Sequence, residues 1–113
     1  MIKHIVMWNI KGASSAEKLA NSLRVKNLVE GLAGNIPGMK TIEVGIEISQ
    51  IEYACDVVLY SGFDSHEALE GCSSHPAHLS VRQQLEGVRT TRHQVDYLPG
   101  GQAVSDRAAV EVG

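Results

Sequence analysis

At the start of the chain Ile2, His4, Val6, Trp8 and Ile10 alternate with Lys3, Ile5, Met7 and Asn9. This is the period of two by which a strand sends successive side chains to opposite faces. Gly12 interrupts the run, Ser14 or Ser15 is suited to cap a helix, and residues Ala16 to about Ala33 are mostly good helix formers. Leu19, Leu23, Val25, Leu28, Val29 and Leu32 recur there mostly at three- and four-residue spacing, which leaves Lys18, Arg24, Lys26 and Glu30 for solvent. Gly34, Asn35, Pro37 and Gly38 end that amphipathic helix, because Gly and Asn tolerate a left-handed cap and Pro cannot extend the helix.

From Lys40 to Ile48 the apolar Ile42, Val44, Ile46 and Ile48 interleave with Glu43, Gly45 and Glu47, a half-buried second strand. The run CDVVLYSGF gives a third, whose consecutive Val57, Val58 and Leu59 imply burial on both faces. Asp64 is placed to cap a short helix with Glu67 at the capping-box position, running to about Cys72. A residue before proline avoids the helical region, so the helix should break near Ser74 or His75 and restart at Pro76. Leu79, Leu85 and Val88 carry the buried side of the second piece. Finally Thr91, His93, Val95 and Tyr97 alternate with Arg92, Gln94 and Asp96, a fourth strand. Residues 1–98 thus read as one domain, and the stretch from Pro99 to Gly113 as a tail or arm without a strong period.

Strand, helix, strand, strand, helix, strand is the split βαβ, ferredoxin-like order, an α+β fold with both helices on one face of a four-stranded antiparallel sheet. The first and third strands are apolar on both faces, so the uncovered face needs a partner. We therefore expect a homodimer whose two sheets pack face to face.

Composition narrows the partners. The chain has 113 residues, 43% hydrophobic and 20% charged, which suits one folded globular domain. A net charge of -3, with both signs interspersed, offers no basic stripe to a nucleic acid. No apolar run approaches the roughly 20 residues that span a bilayer, and MIKHIV lacks a signal-peptide core, so no membrane partner and a cytoplasmic location are expected. Cys55 and Cys72 form no CxxC pair and read as reduced thiols.

The candidate chemistry lies in CSSHPAHLSV, residues 72–81. With Pro76 as the first helical residue, His75 is the cap and His78 the third position, where backbone N–H groups lack partners. The positive end of the helix dipole disfavours imidazolium there. A neutral imidazole in an apolar cavity can take a proton from carbon next to a carbonyl, or accept a hydrogen bond from a substrate hydroxyl. The same two histidines can instead simply cap and solvate a helix start. A metal site would require three or four convergent ligands, and no recognised spacing supplies them, so none is expected.

IKHIVMW, IPGM, DVVLYSGFDSHEAL, HPAH and VDY, in this order from about Met1 to Leu98, resemble the stress-responsive A/B barrel (Dabb) family. The resemblance implies a dimeric α/β barrel. Its best-known chemistry is that of plant polyketide cyclases, which perform an intramolecular aldol condensation with a histidine as general base. On that resemblance His78 stands at the position of the base and His4 at that of a histidine kept on the first strand. Cys72 replaces a tyrosine that often lies three residues before HPxH, and a thiol is a poorer hydrogen-bond donor than a phenol. These considerations give His78 and His4 as catalytic candidates, with Trp8, Cys72, His75 and Tyr60 as substrate contacts. The ligand expected is a small, mostly apolar carbonyl compound, and the chemistry is of lyase, cyclase or isomerase type without a cofactor. A non-catalytic, stress-associated binding or structural homodimer is the alternative.

Overall fold

A computed structural model describes residues 1–100; the rest of the tail expected beyond Pro99 lies outside the described residues. The order is β1 (Ile2–Ile10), α1 (Ser15–Glu30), β2 (Met39–Ile46), β3 (Val57–Phe63), α2 (His66–Ser74), α3 (Pro76–Gln84) and β4 (Arg89–Tyr97). The strands form one antiparallel sheet in the order β2-β3-β1-β4. This is the expected ferredoxin-like arrangement, with the second helix divided in two.

One face of the sheet meets the helices. Val6, Trp8 and Ile10 of β1, Val44 of β2, and Val57, Leu59 and Phe63 of β3 are buried there against Val25 and Val29 of α1 and Val81 of α3. The stripe of α1 that reaches this core is Ser22, Val25 and Val29, whereas Leu19 and Leu23 are exposed, contrary to the leucine spacing. At 3.6 residues per turn those two leucines fall on the far side of the helix from Val25. The helix is set by Ser14, whose hydroxyl accepts from the Glu17 amide at 3.1 Å.

Lys26 and Glu30 are not simply solvated. Because β2 is a sheet edge, its outward amide and carbonyl need partners: Glu30 Oε2 accepts from the Val44 N–H at 2.9 Å, and Lys26 Nζ donates to the Val44 carbonyl at 2.6 Å. The pair also bonds to itself at 2.8 Å, so α1 blunts the edge against pairing with another chain. The Lys26 hydrogen bond, and then that of the Val44 amide, holds the Glu30 carboxyl below its ordinary 4.5. A carboxyl with a lowered folded value contributes stability above the unfolded value and loses it as pH falls through the folded one. Replacing Glu30 with Gln should cost about 1 kcal/mol at neutral pH. Thermal melts on acidification below 4.5 should then show the wild type converging on the variant.

The capping of the second helix differs from expectation by one residue. Ser65, not Asp64, accepts from the Ala68 amide, at 3.1 Å. The Asp64 amide instead donates to the Gly38 carbonyl at 2.8 Å, and its carboxylate faces Lys40, which keeps it in the turn before α2. Gly38 has φ +78, and a Cβ there would stand 2.5 Å from that of Ala68, so the IPGM turn requires glycine. The chain leaves the helical region at His75 (φ −68, ψ 137) and restarts at Pro76, as the proline dictates. Val81 and Leu85 then face the core, while Leu79 is exposed.

The opposite face carries Lys3, Ile5 and Met7, paired with Gly62, Tyr60 and Val58 of β3 and with Tyr97, Val95 and His93 of β4. In the single chain Val58 is 36% exposed, and Met7, Val95 and Tyr97 are exposed beside it. Ile48 is also exposed: Glu47 accepts from the Ser49 and Gln50 amides, both at 2.7 Å, and turns the chain away after Ile46. No helix among the described residues is long and apolar enough to cross a membrane.

Candidate functional site

The register of the sheet builds one side of the site. His4 pairs across β1 with Ser61 of β3 and Asp96 of β4, and its Nδ1 lies 2.5 Å from Asp96 Oδ1. The other Asp96 oxygen accepts from Gln94 Nε2 at 3.0 Å, and Gln94 Oε1 accepts from Arg92 at 2.6 Å. Alternate residues of β4 thus form a hydrogen-bonded row that ends on His4. A neutral His4 ring donating to Asp96 from Nδ1 keeps its lone pair at Nε2. Phe63 packs edge-on against that ring, with centroids 6.2 Å apart.

Helix α3 supplies the other side. His78, its third residue, is half-buried, and its Nδ1 is buried with no hydrogen-bond partner among the described residues. Burial lowers its pKa from the ordinary 6.5, and the cations of Arg82, Arg89 and Arg92 lower it further, while the Ser73 backbone works weakly the other way. The imidazole is therefore neutral at pH 7 and acidifies only at the expense of the fold. Between the lowered folded value and 6.5 the unfolded chain binds the extra proton, so stability falls as pH drops through that window. A histidine NMR titration should place His78 below 6.5, and Arg89→Met should move it upward by removing a cation.

His4 and His78 line a single cavity of about 60 Å³ between sheet and helices, whose walls include Val6, Leu59, Phe63 and Val81. Of the residues expected at the site, Trp8 and Cys72 line it as well. Burial pushes the Cys72 thiol up, so it stays protonated and serves as wall rather than nucleophile. His75 and Tyr60 do not line it. The His75 Nδ1 accepts from the Ala77 amide at 3.0 Å, so that ring is spent as a helix cap. Tyr60 has the opposite parity on β3 and lies on the outer face, 5.2 Å beneath the Lys3 ammonium.

Four residues that sequence reasoning passed over belong to the site: Asp96, Arg82, Arg89 and Arg92. Arg82 stands four residues after His78 on one helix, a legible signal. The Asp96 contact depends on register between strands 92 positions apart. Arg89 stacks over the Trp8 ring at 4.9 Å. Among the described residues no group of three His, Cys, Asp or Glu side chains is arranged to hold a metal ion.

Fold and site together define a ferredoxin-like α+β domain with a histidine-lined cavity beneath its helices. Residues 2–99 match the family model of the Stress responsive A/B Barrel Domain, and the chain belongs to that family. A dimeric protein of unknown function and ferredoxin-like fold from Bacteroides fragilis is similar at 29% identity, with TM-score 0.75 over 85% of this chain and 93% of that one. A Dabb family protein with a ferredoxin-like fold from Mesorhizobium loti shares 23% identity and TM-score 0.71, covering 88% of this chain and 97% of the other. A dimeric ferredoxin-like protein of unknown function from Thermobifida fusca shares 17%, also at TM-score 0.71, over 85% and 88% of the two chains. The last two are likenesses of fold. A search of curated proteins finds no significant match.

Proposed function

We propose that this protein is a cytoplasmic homodimer that binds a small carbonyl compound in the cavity and moves a proton at the carbon next to the carbonyl, without an organic cofactor. The observation that carries this reading is the His78 ring: Nδ1 buried without a partner among the described residues, at the rim of a cavity shared with His4. A neutral imidazole with one ring nitrogen, Nδ1, left without a partner is suited to general-base work. His78 takes the proton from carbon, and the bonding pair moves toward the carbonyl oxygen. His4, its ring held by Asp96, orients the substrate. Trp8 and Cys72 form the wall beside them.

The dimer is supported by the apolar outer face of the sheet and by the dimeric relatives from Bacteroides fragilis and Thermobifida fusca. Two free cysteines agree with a reducing compartment. One observation favours the rival, a binding or structural dimer without turnover: about 60 Å³ is well below the size of most ligand pockets, and Trp8 takes up part of the wall. Solvent-deuterium entry next to the carbonyl of butan-2-one and cyclohexanone, followed by proton NMR, separates the two. Protein-dependent exchange that His78→Ala removes supports catalysis. Exchange at the buffer rate, with or without His78, supports the rival.

A further inference from the structure

Three arginines line this small cavity, Arg82 from α3 and Arg89 and Arg92 from β4, with one nitrogen of Arg92 donating to Gln94. Every ion pair among the described residues involves other cations: His4, Lys18, Lys26, Lys40 and His66. The nearest carboxylate in the row, Asp96, is committed on both oxygens to His4 and Gln94. The chain has 13 acidic residues against 10 lysines and arginines, so the lack of a carboxylate here among the described residues is not a shortage of acids. Arg89 is half-buried, with its guanidinium against the Trp8 ring, and the charges of Arg92 and Arg82 add to its burial in weakening its hold on its proton. Holding the half-buried Arg89 cation beside two further cations is unfavourable unless an anion offsets them.

The rest of the lining tells what kind of anion. Arginine presents a planar fork that meets carboxylate or phosphate oxygens in pairs. Here the fork stands over an apolar wall of Val6, Leu59, Phe63 and Val81, which suits a hydrocarbon body rather than a sugar or a polyphosphate. A volume of about 60 Å³ restricts that body to a few carbon atoms.

We infer that the cavity takes a small oxo acid, its carboxylate received by Arg82, Arg89 and Arg92 and its carbonyl end turned to His78. The carbonyl half rests on the proposed function; the carboxylate half does not. Because Trp8 is the only tryptophan and Arg89 lies against it, ligand entry reports itself in fluorescence.

The test is a Trp8 fluorescence titration with 2-oxobutyrate, butan-2-one and inorganic phosphate, on the wild type and on Arg82→Gln, Arg92→Met and His78→Asn. Arg82 and Arg92 are exposed, so their replacement spares the core, whereas Arg89→Met is interpreted only where its melting curve is intact. Expected is binding of 2-oxobutyrate at least tenfold tighter than butan-2-one, a preference abolished in each arginine variant and kept in His78→Asn. Equal affinity for acid and ketone, no binding of the acid, indifference to the arginines, or phosphate competing as well as the oxo acid would each overturn the inference. Binding of 2-oxobutyrate with this arginine dependence, but without deuterium entry, ends the catalytic reading and leaves the anion site standing. Deuterium entering butan-2-one as fast as it enters the oxo acid does the reverse.

Discussion

Replacing His78 with Ala should cut protein-dependent deuterium entry by about 10²- to 10⁴-fold, the usual contribution of a positioned general base. The thermal midpoint should stay within a few degrees. The helix start is capped by the side chain of His75, and the backbone restart is set by Pro76, so neither depends on the His78 ring. The same chemistry predicts the pH profile. Only neutral His78 accepts the proton, so the rate should hold as pH falls through 6.5 and drop at the lowered value that burial and the three arginines impose. Arg89→Met should shift that inflection upward. A merely structural histidine would leave the inflection where it was and move the melting curve instead.

The second large effect concerns assembly. Light scattering of the wild type should give twice the chain mass at micromolar concentration, and Val58→Asp should give the chain mass once. Val58 lies in the middle of the outer face, opposite Met7 on β1 and Gly45 on β2, and is not part of the helix-side core. A carboxylate there would be buried between two apolar sheets, a penalty of several kcal/mol per subunit. Since every 1.4 kcal/mol is about a tenfold change in affinity, dissociation should strengthen by about 10²-fold or more. The variant's far-ultraviolet circular dichroism should match the wild type, because the side chain is exposed in the single chain. A clean wild-type monomer would refute the face-to-face pairing.

The elements that show in the sequence are those fixed by local rules. Period-two alternation marks β1 and β2, and the Ser-Ser-His-Pro sequence marks the break between α2 and α3, because proline constrains the residue before it wherever it occurs. The structure departs from the local pattern where distant contacts choose between two local solutions. Leu19 and Leu23 have helical spacing, but the sheet receives Ser22, Val25 and Val29. Asp64 is a good cap, but its amide is held by Gly38, so Ser65 takes the role. Lys26 and Glu30 look like solvent residues until β2 is known to be an edge whose Val44 needs both.

The site divides in the same way. His4, Trp8, Cys72 and His78 reach one cavity through strand parity and helix phase, both of which are written in short segments. Tyr60 was displaced by that same parity, one position off the cavity side. Asp96 and the arginines enter only through the antiparallel register of β4 on β1, which no local pattern states. The polar row Arg92, Gln94, Asp96 was visible as an alternating face, but its partner was not.

The proposed chemistry requires two imidazoles to share one ligand. Long-range proton–nitrogen spectra of the histidine side chains, recorded with and without 2-oxobutyrate, address this directly, since the chain has five histidines to compare. The nitrogen resonances of His78 and His4 should move together and saturate at one ligand concentration, while His66, His75 and His93 stay in place. Shifts confined to the three outer rings, or a ligand that moves His4 and leaves His78 untouched, would contradict it.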